Sequence, residues 1–119
     1  MSQPRRQRLA VEEIGDVTVV NFLDKKILDE QNIQMIGDDL FRLVDEMGRR
    51  KILLTFTNVE FMSSAALGKL IRLHQKLTTA GGKLVLSGIS PDIMEIFVIT
   101  KLDKMLTIVK DEQKGLQSF

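Results

Sequence analysis

Two adjacent serines, Ser63 and Ser64, stand where an apolar, strand-like run gives way to residues at helical spacing, in the stretch Phe56-Thr57-Asn58-Val59-Glu60-Phe61-Met62-Ser63-Ser64-Ala65-Ala66-Leu67-Gly68. A serine at a helix start offers its oxygen to the first unsatisfied backbone N–H groups. Those N–H groups, with the positive end of the helix dipole, would also hold a phosphate added to a hydroxyl there. Ser63 or Ser64 is therefore read as a helix cap, and a serine so placed is a candidate modification switch. The same local pattern is also that of an ordinary structural cap, so the switch reading needs support from the rest of the chain.

The elements that must position this pair follow from periodicity. Lys51-Ile52-Leu53-Leu54 is short, apolar and branched enough to be a buried strand. After the serines, Leu67, Leu70, Ile71, His74 and Leu77 fall on one helical face, with Lys69, Arg72, Gln75 and Lys76 on the other. Gly81-Gly82 stops that helix, and Lys83-Leu84-Val85-Leu86-Ser87 follows as another buried strand. Strand, helix and strand in this order favour a parallel pair with a right-handed crossover.

Upstream, Leu9–Ile14 and Val17–Phe22 are β runs about the turn signal Gly15-Asp16, which predicts a hairpin. Asp29 is a plausible N-cap for a helix with apolar positions at Ile33, Ile36, Leu40, Leu43, Val44 and Met47, ending at Gly48-Arg49-Arg50. Gly37 within it is expected to cost about 1 kcal/mol relative to Ala. Downstream, Ser90 and Pro91 announce a short helix through Phe97, Leu106–Val109 reads as a brief final strand, and Asp111-Glu112-Gln113 opens a polar segment suited to a closing helix.

Composition narrows the function classes. At 119 residues the chain suits one domain with its own core, expected over residues 9–119 behind a flexible basic tail at residues 1–8. There is no Cys, hence no disulfide framework and no thiolate metal site, which fits a reducing compartment; a cytoplasmic location is the expectation. No apolar run approaches the ~20 residues a membrane span needs, and the basic opening lacks an apolar run of the signal-peptide kind. Seventeen basic residues against sixteen acidic ones give a net charge of +1, which steers the chain to neither nucleic acid nor lipid. With no Tyr, no Trp and no basic stripe, nucleic-acid recognition is not expected.

Catalysis is not expected either. Ser64 and the lone His74 are ten residues apart on one predicted helix, about 15 Å along its axis, too far for a nucleophile and its base. No metal is expected from one His, no Cys and scattered carboxylates, and no cofactor: Gly81-Gly82 follows a helix and precedes a strand, the reverse of a dinucleotide fingerprint.

The element order β-β-α-β-α-β-α-β-α and the wording of the serine motif resemble the STAS domain, named for sulfate transporters and anti-sigma factor antagonists. In phosphorylatable members of that family the helix starts Asp-Ser-Ser/Thr-Gly-Leu-Gly after an apolar Phe-Met, and Phe61-Met62-Ser63-Ser64-Ala65-Ala66-Leu67-Gly68 stands in register with it. Gly81-Gly82-Lys83-Leu84-Val85-Leu86, Ile89-Ser90-Pro91 and Phe97-Val98-Ile99-Thr100-Lys101-Leu102-Asp103 extend the resemblance over nearly the whole chain.

The resemblance implies an α/β fold: a single STAS-like domain with a mixed central sheet of four to five strands and helices mainly on one face. It implies an anti-sigma factor antagonist, not an enzyme, whose Ser64 is phosphorylated by an anti-sigma factor kinase of histidine-kinase-like ATPase type; a serine phosphatase would be a further partner. The implied docking surface is centred on Thr57, Asn58, Met62, Ser63 and Ser64, with Met62 partly exposed in its loop. Ser63 stands in place of the family's usual Asp, Thr55 where many members have an acid, and Ala65 and Ala66 in place of Ser/Thr and Gly. The two missing acids favour an alternative: an unphosphorylated structural or scaffolding STAS module that assembles with copies of itself, as a homo-oligomer, or with another protein.

Overall fold

The computed structural model describes residues 9–119; the expected tail at residues 1–8 lies outside them. Strand β1 (Leu9–Ile14) and strand β2 (Val17–Phe22) form the expected antiparallel hairpin, Leu9 opposite Phe22 and Ile14 opposite Val17. A two-residue strand, β3 (Lys26–Ile27), leads to helix α1 (Glu30–Asp45). The Asp29 side chain accepts a hydrogen bond from the Asn32 N–H at 3.2 Å and caps α1 as its residue type predicts. Helix α1 ends at Asp45 rather than Met47, and Met47 is exposed, so the apolar stripe closes at Val44.

Strand β4 (Lys51–Thr55) is followed by a second two-residue strand, β5 (Phe61–Met62), and then helix α2 (Ser64–Thr79) and strand β6 (Lys83–Ser87). Helix α3 (Pro91–Ile99) begins at the expected cap, with Ser90 Oγ accepting from the Ile93 N–H at 3.3 Å. A short turn of helix, α4 (Leu102–Met105), precedes strand β7 (Thr107–Val109), so Leu106 ends α4 rather than opening the strand. Helix α5 (Glu112–Leu116) closes the fold.

The main sheet has the order β1-β2-β4-β6-β7, antiparallel at the hairpin and parallel elsewhere, so the expected mixed sheet has five strands. Its two faces are buried unequally. Val20, Ile52, Leu54 and Leu86 join the larger core with the apolar stripes of α1 and α2 and with Ile93 and Phe97 of α3. On the opposite face Val17, Val19, Leu53 and Val85 form a smaller core covered by Val109, Leu116 and Phe119. Most helical mass therefore lies on one face, and α5 covers the other. Burial on both faces explains why β4 and β6 are near-continuous apolar runs rather than alternating ones.

The stripe of α2 is centred one step from its predicted place. Ala66, Leu67, Leu70, Leu73 and Leu77 are buried, whereas Ile71 and His74 are half-buried at its edge. The larger core takes the i, i+3, i+4, i+7 set through Leu70, Leu73 and Leu77. His74 is thus a flank residue of the packed face, and on α2 it is separated from Ser64 by nearly three turns.

Candidate functional site: the serine-bearing end of helix α2

All four parallel strands end on one side of the sheet, and the loops leaving β4 and β6 carry the starts of α2 and α3 there. The loop from β4 to α2 is held at several points. Phe56 donates its N–H to Ser87 O at 2.9 Å and accepts from the Val59 N–H at 2.9 Å, which makes a tight turn with Phe56 and Val59 buried below it. Thr57 and Asn58 sit exposed at the top of that turn, and Asn58 Nδ2 donates to Phe22 O at 3.4 Å. Thr57 lies against Gly88, whose φ is +69°; a Cβ there would stand 2.9 Å from Thr57 Oγ1, so both backbone conformation and space favour glycine.

The second half of the loop is zipped to residues 25–27. Glu60 and Phe61 donate their N–H groups to Lys25 O at 2.8 and 3.1 Å, and Ser63 donates to Ile27 O at 3.1 Å. This parallel β3–β5 ladder places Lys26 opposite Phe61 and Ile27 opposite Met62. Side chains alternate across a strand, so the ladder turns Met62 inward and Phe61 outward. Met62, expected to be partly exposed, is buried at 8 % accessibility in the larger core, while Phe61 is 51 % exposed. Phe61 is the residue that sequence reasoning passed over. Its signal was alternation with buried Met62, hidden in a segment read as loop. The Lys26 ammonium stands 5.7 Å from the Phe61 ring centre, and Leu23 and Leu28 are exposed in the flanking segments.

The serine pair separates cleanly. Ser63 has extended backbone angles (φ −87°, ψ 166°), and its side chain accepts from the Ala66 N–H at 3.4 Å; it is the N-cap. Ser64 is the first helical residue and is exposed. Its hydroxyl takes no part in the cap, and the N–H groups at the first two helical positions have no acceptor within a helix. No acidic residue lies in the first turn, so the positive end of the α2 dipole is uncompensated by the chain's own side chains there.

Thr55 sits at the end of β4, where an acid was the family expectation. It is buried, and its hydroxyl donates to the Asn21 side-chain oxygen and lies 3.4 Å from Val20 O. The position is neutral and satisfied, two residues before exposed Thr57. Of the five residues expected at the surface, the structure brings Thr57, Asn58, Ser63 and Ser64 to one end of the fold and withdraws Met62 beneath them.

A family model described as the STAS domain matches residues 8–115. BtrV of Bordetella bronchiseptica, described as an anti-sigma factor antagonist, is 23 % identical over 93 residues, covering 78 % of this chain and 79 % of that protein. An anti-sigma-factor antagonist (STAS) domain protein from Planctomyces limnophilus superposes with a TM-score of 0.81 at 23 % identity, covering 92 % of this chain and 95 % of that one. The Bacillus cell fate determinant SpoIIAA in its phosphorylated form gives a TM-score of 0.71 at 16 % identity, over 92 % of this chain and 96 % of that one. With a family model spanning nearly all of its described residues, and a fold that superposes on solved STAS domain structures, this chain belongs to the STAS domain family.

Proposed function

We propose that this chain is an anti-sigma factor antagonist that docks through the serine-bearing end of α2 on an anti-sigma factor, a serine kinase of histidine-kinase-like type, and that phosphorylation of Ser64 ends the association. The observation that carries this reading is the division of labour between the serines. Ser63 is spent on the cap, and Ser64 is exposed, uncommitted and seated on the open helix N-terminus. The kinship with anti-sigma factor antagonists and the fold shared with a protein solved in a phosphorylated form support it.

A phosphoserine carries about −1.5 to −2 charges and three strong acceptor oxygens. At the first position of α2 those oxygens would meet free N–H groups and the positive dipole end, so the domain accommodates the new charge locally. A partner seated on Thr57, Asn58, Phe61 and Ser64 would instead have to bury it. The effect falls on the interface, not on the fold. The chain acts as the kinase's substrate, and a phosphatase would restore the docking form.

Calorimetric titration with the anti-sigma kinase of the same genome tests this reading. Ser64→Ala is expected to bind like the native chain and Ser64→Glu at least roughly tenfold more weakly, since even one carboxylate introduces a charge to be desolvated. Equal affinities for the Ala and Glu variants would contradict it. The neutral residues at positions 55 and 63 favour a second reading, an unphosphorylated scaffolding STAS module. That reading expects a stable large assembly by light scattering and no response to Ser64→Glu.

A further inference from the structure

Beginning one residue after Ser64, a groove runs along the seam between α1 and α2. Its first part, about 510 Å³, is lined by Phe41, Ala65, Gly68, Lys69 and Arg72. Its second, about 470 Å³, continues from Arg72 past Gln75 and Lys76 to Thr79, with Val44, Asp45 and Arg50 on the far wall. Arg72 belongs to both parts and joins them. Ala65 and Gly68 keep the floor low, and nothing stands within 4 Å of where a Gly68 Cβ would lie.

The groove is basic on balance, because α2 lines it with Lys69, Arg72 and Lys76 and has no acid in its sixteen residues, a basic stripe where the sequence reading expected none. Among the described residues, Lys76 alone of these is neutralised, by Asp45 at 2.9 Å. Lys69 donates to the uncharged Gln34 Oε1 at 3.2 Å, and Arg50 to the carbonyls of Arg49 and Val44 at 3.1 and 3.5 Å, so neither has an acid partner among the described residues. Arg72 is exposed and, among the described residues, has neither a hydrogen bond nor an ion pair. The Phe41 ring supplies an apolar wall, with Lys69 and Lys76 at 5.8 and 5.4 Å from its centre.

We infer that this groove receives an acidic, extended polypeptide segment of the docking partner, with carboxylates on Lys69, Arg72 and Arg50 and an apolar side chain against Phe41. The spacing decides against a small anion. The lining runs along α2 from Ala65 to Thr79, about 21 Å at 1.5 Å per residue, far longer than one phosphate. An extended chain at about 3.3 Å per residue covers that length with six to seven residues. Nucleic acid or a lipid surface, which presents a broad field of negative charge, is disfavoured by exposed Asp38 and Glu46 in and just after α1 and by a net charge of only +1. The inference deepens the docking reading and rests on it for the partner's identity; the chemistry of the groove is testable without it.

The test is amide chemical-shift titration of the full chain with a peptide of about eight residues that alternates glutamate with alanine and leucine. The same peptide with lysine for glutamate, and inorganic phosphate, are the controls. Saturating shifts at Gly68, Arg72, Gln75 and Thr79, weakened roughly tenfold in Arg72→Glu and by added salt, are expected. No saturation at these amides, an equal response to the lysine peptide, or saturation by inorganic phosphate would overturn the inference. With the anti-sigma kinase as ligand the two readings part: Arg72→Glu without effect, while Ser64→Glu weakens binding, overturns the groove alone. The reverse pattern overturns the serine switch and leaves the groove standing.

Discussion

Ser63 and Ser64 have the same side chain and opposite surroundings, and backbone angles alone distinguish them. The extended conformation of Ser63 lets its oxygen reach back to the Ala66 N–H, whereas Ser64 is already helical and its hydroxyl faces solvent. Removing the cap should therefore matter and removing its neighbour should not. Ser63→Ala is expected to lower stability by about 1 kcal/mol, and Ser64→Ala to change it by less than about 0.5 kcal/mol. Urea denaturation of the two variants measures both, and the reverse order would make Ser64 the cap. The sequence left this choice open because either serine is chemically competent to cap. It also misplaced Met62, because a loop was expected where a two-residue strand imposes alternation and turns Phe61 outward instead.

The β3–β5 ladder is the element that holds the serine segment in place, although it contains only four residues. Through it Phe61 and Ser63 donate to Lys25 and Ile27 carbonyls, so the segment is ordered before any partner arrives. Amide exchange should register this: the Phe61 and Ser63 amides are expected to be protected, and those of Ser64 and Ala65 to exchange at the rate of open groups. Ser63 exchanging as fast as Ser64 would mean that the ladder opens freely and that docking must order it. The longer elements were legible because each carries its own signal: the Gly15-Asp16 turn, the caps at Asp29 and Ser90, and the apolar periods of α1 and α2. The ladder was not, because a pair of two-residue strands has no period and exists only through pairing across more than thirty residues of sequence. Helix α4 escaped notice for the same reason, being one turn long and started by Lys101 at φ +62°.

At the scale of the whole molecule, the sheet is buried on both faces and the candidate site sits at the strand ends, outside either core. Ser64 is exposed there, so a phosphate on it displaces no buried side chain. The phosphorylated chain is expected to unfold cooperatively with a Tm within about 4 °C of the unmodified chain, the span that a change of ~0.5–1 kcal/mol produces in a domain of this size. Differential scanning calorimetry decides it: a larger shift, or a loss of cooperativity, would mean that the modification acts through the fold rather than the interface. The fold class was legible at this scale too, because the order of elements and the near-continuous apolar runs of β4 and β6 leave few topologies open. The covering of the far face by α5, Leu116 and Phe119 was less so, since a polar segment of five residues gives no sign of the face it packs on.

The proposed switch depends on Ser64 as the phosphate acceptor. The most direct measurement is intact-mass analysis of the purified chain after incubation with ATP and the anti-sigma kinase of its own genome, followed by peptide mapping. The predicted result is a single phosphate on Ser64 and none on Ser63. An unmodified chain, in the presence of a kinase that phosphorylates another antagonist, would contradict the account and leave the scaffolding reading in its place.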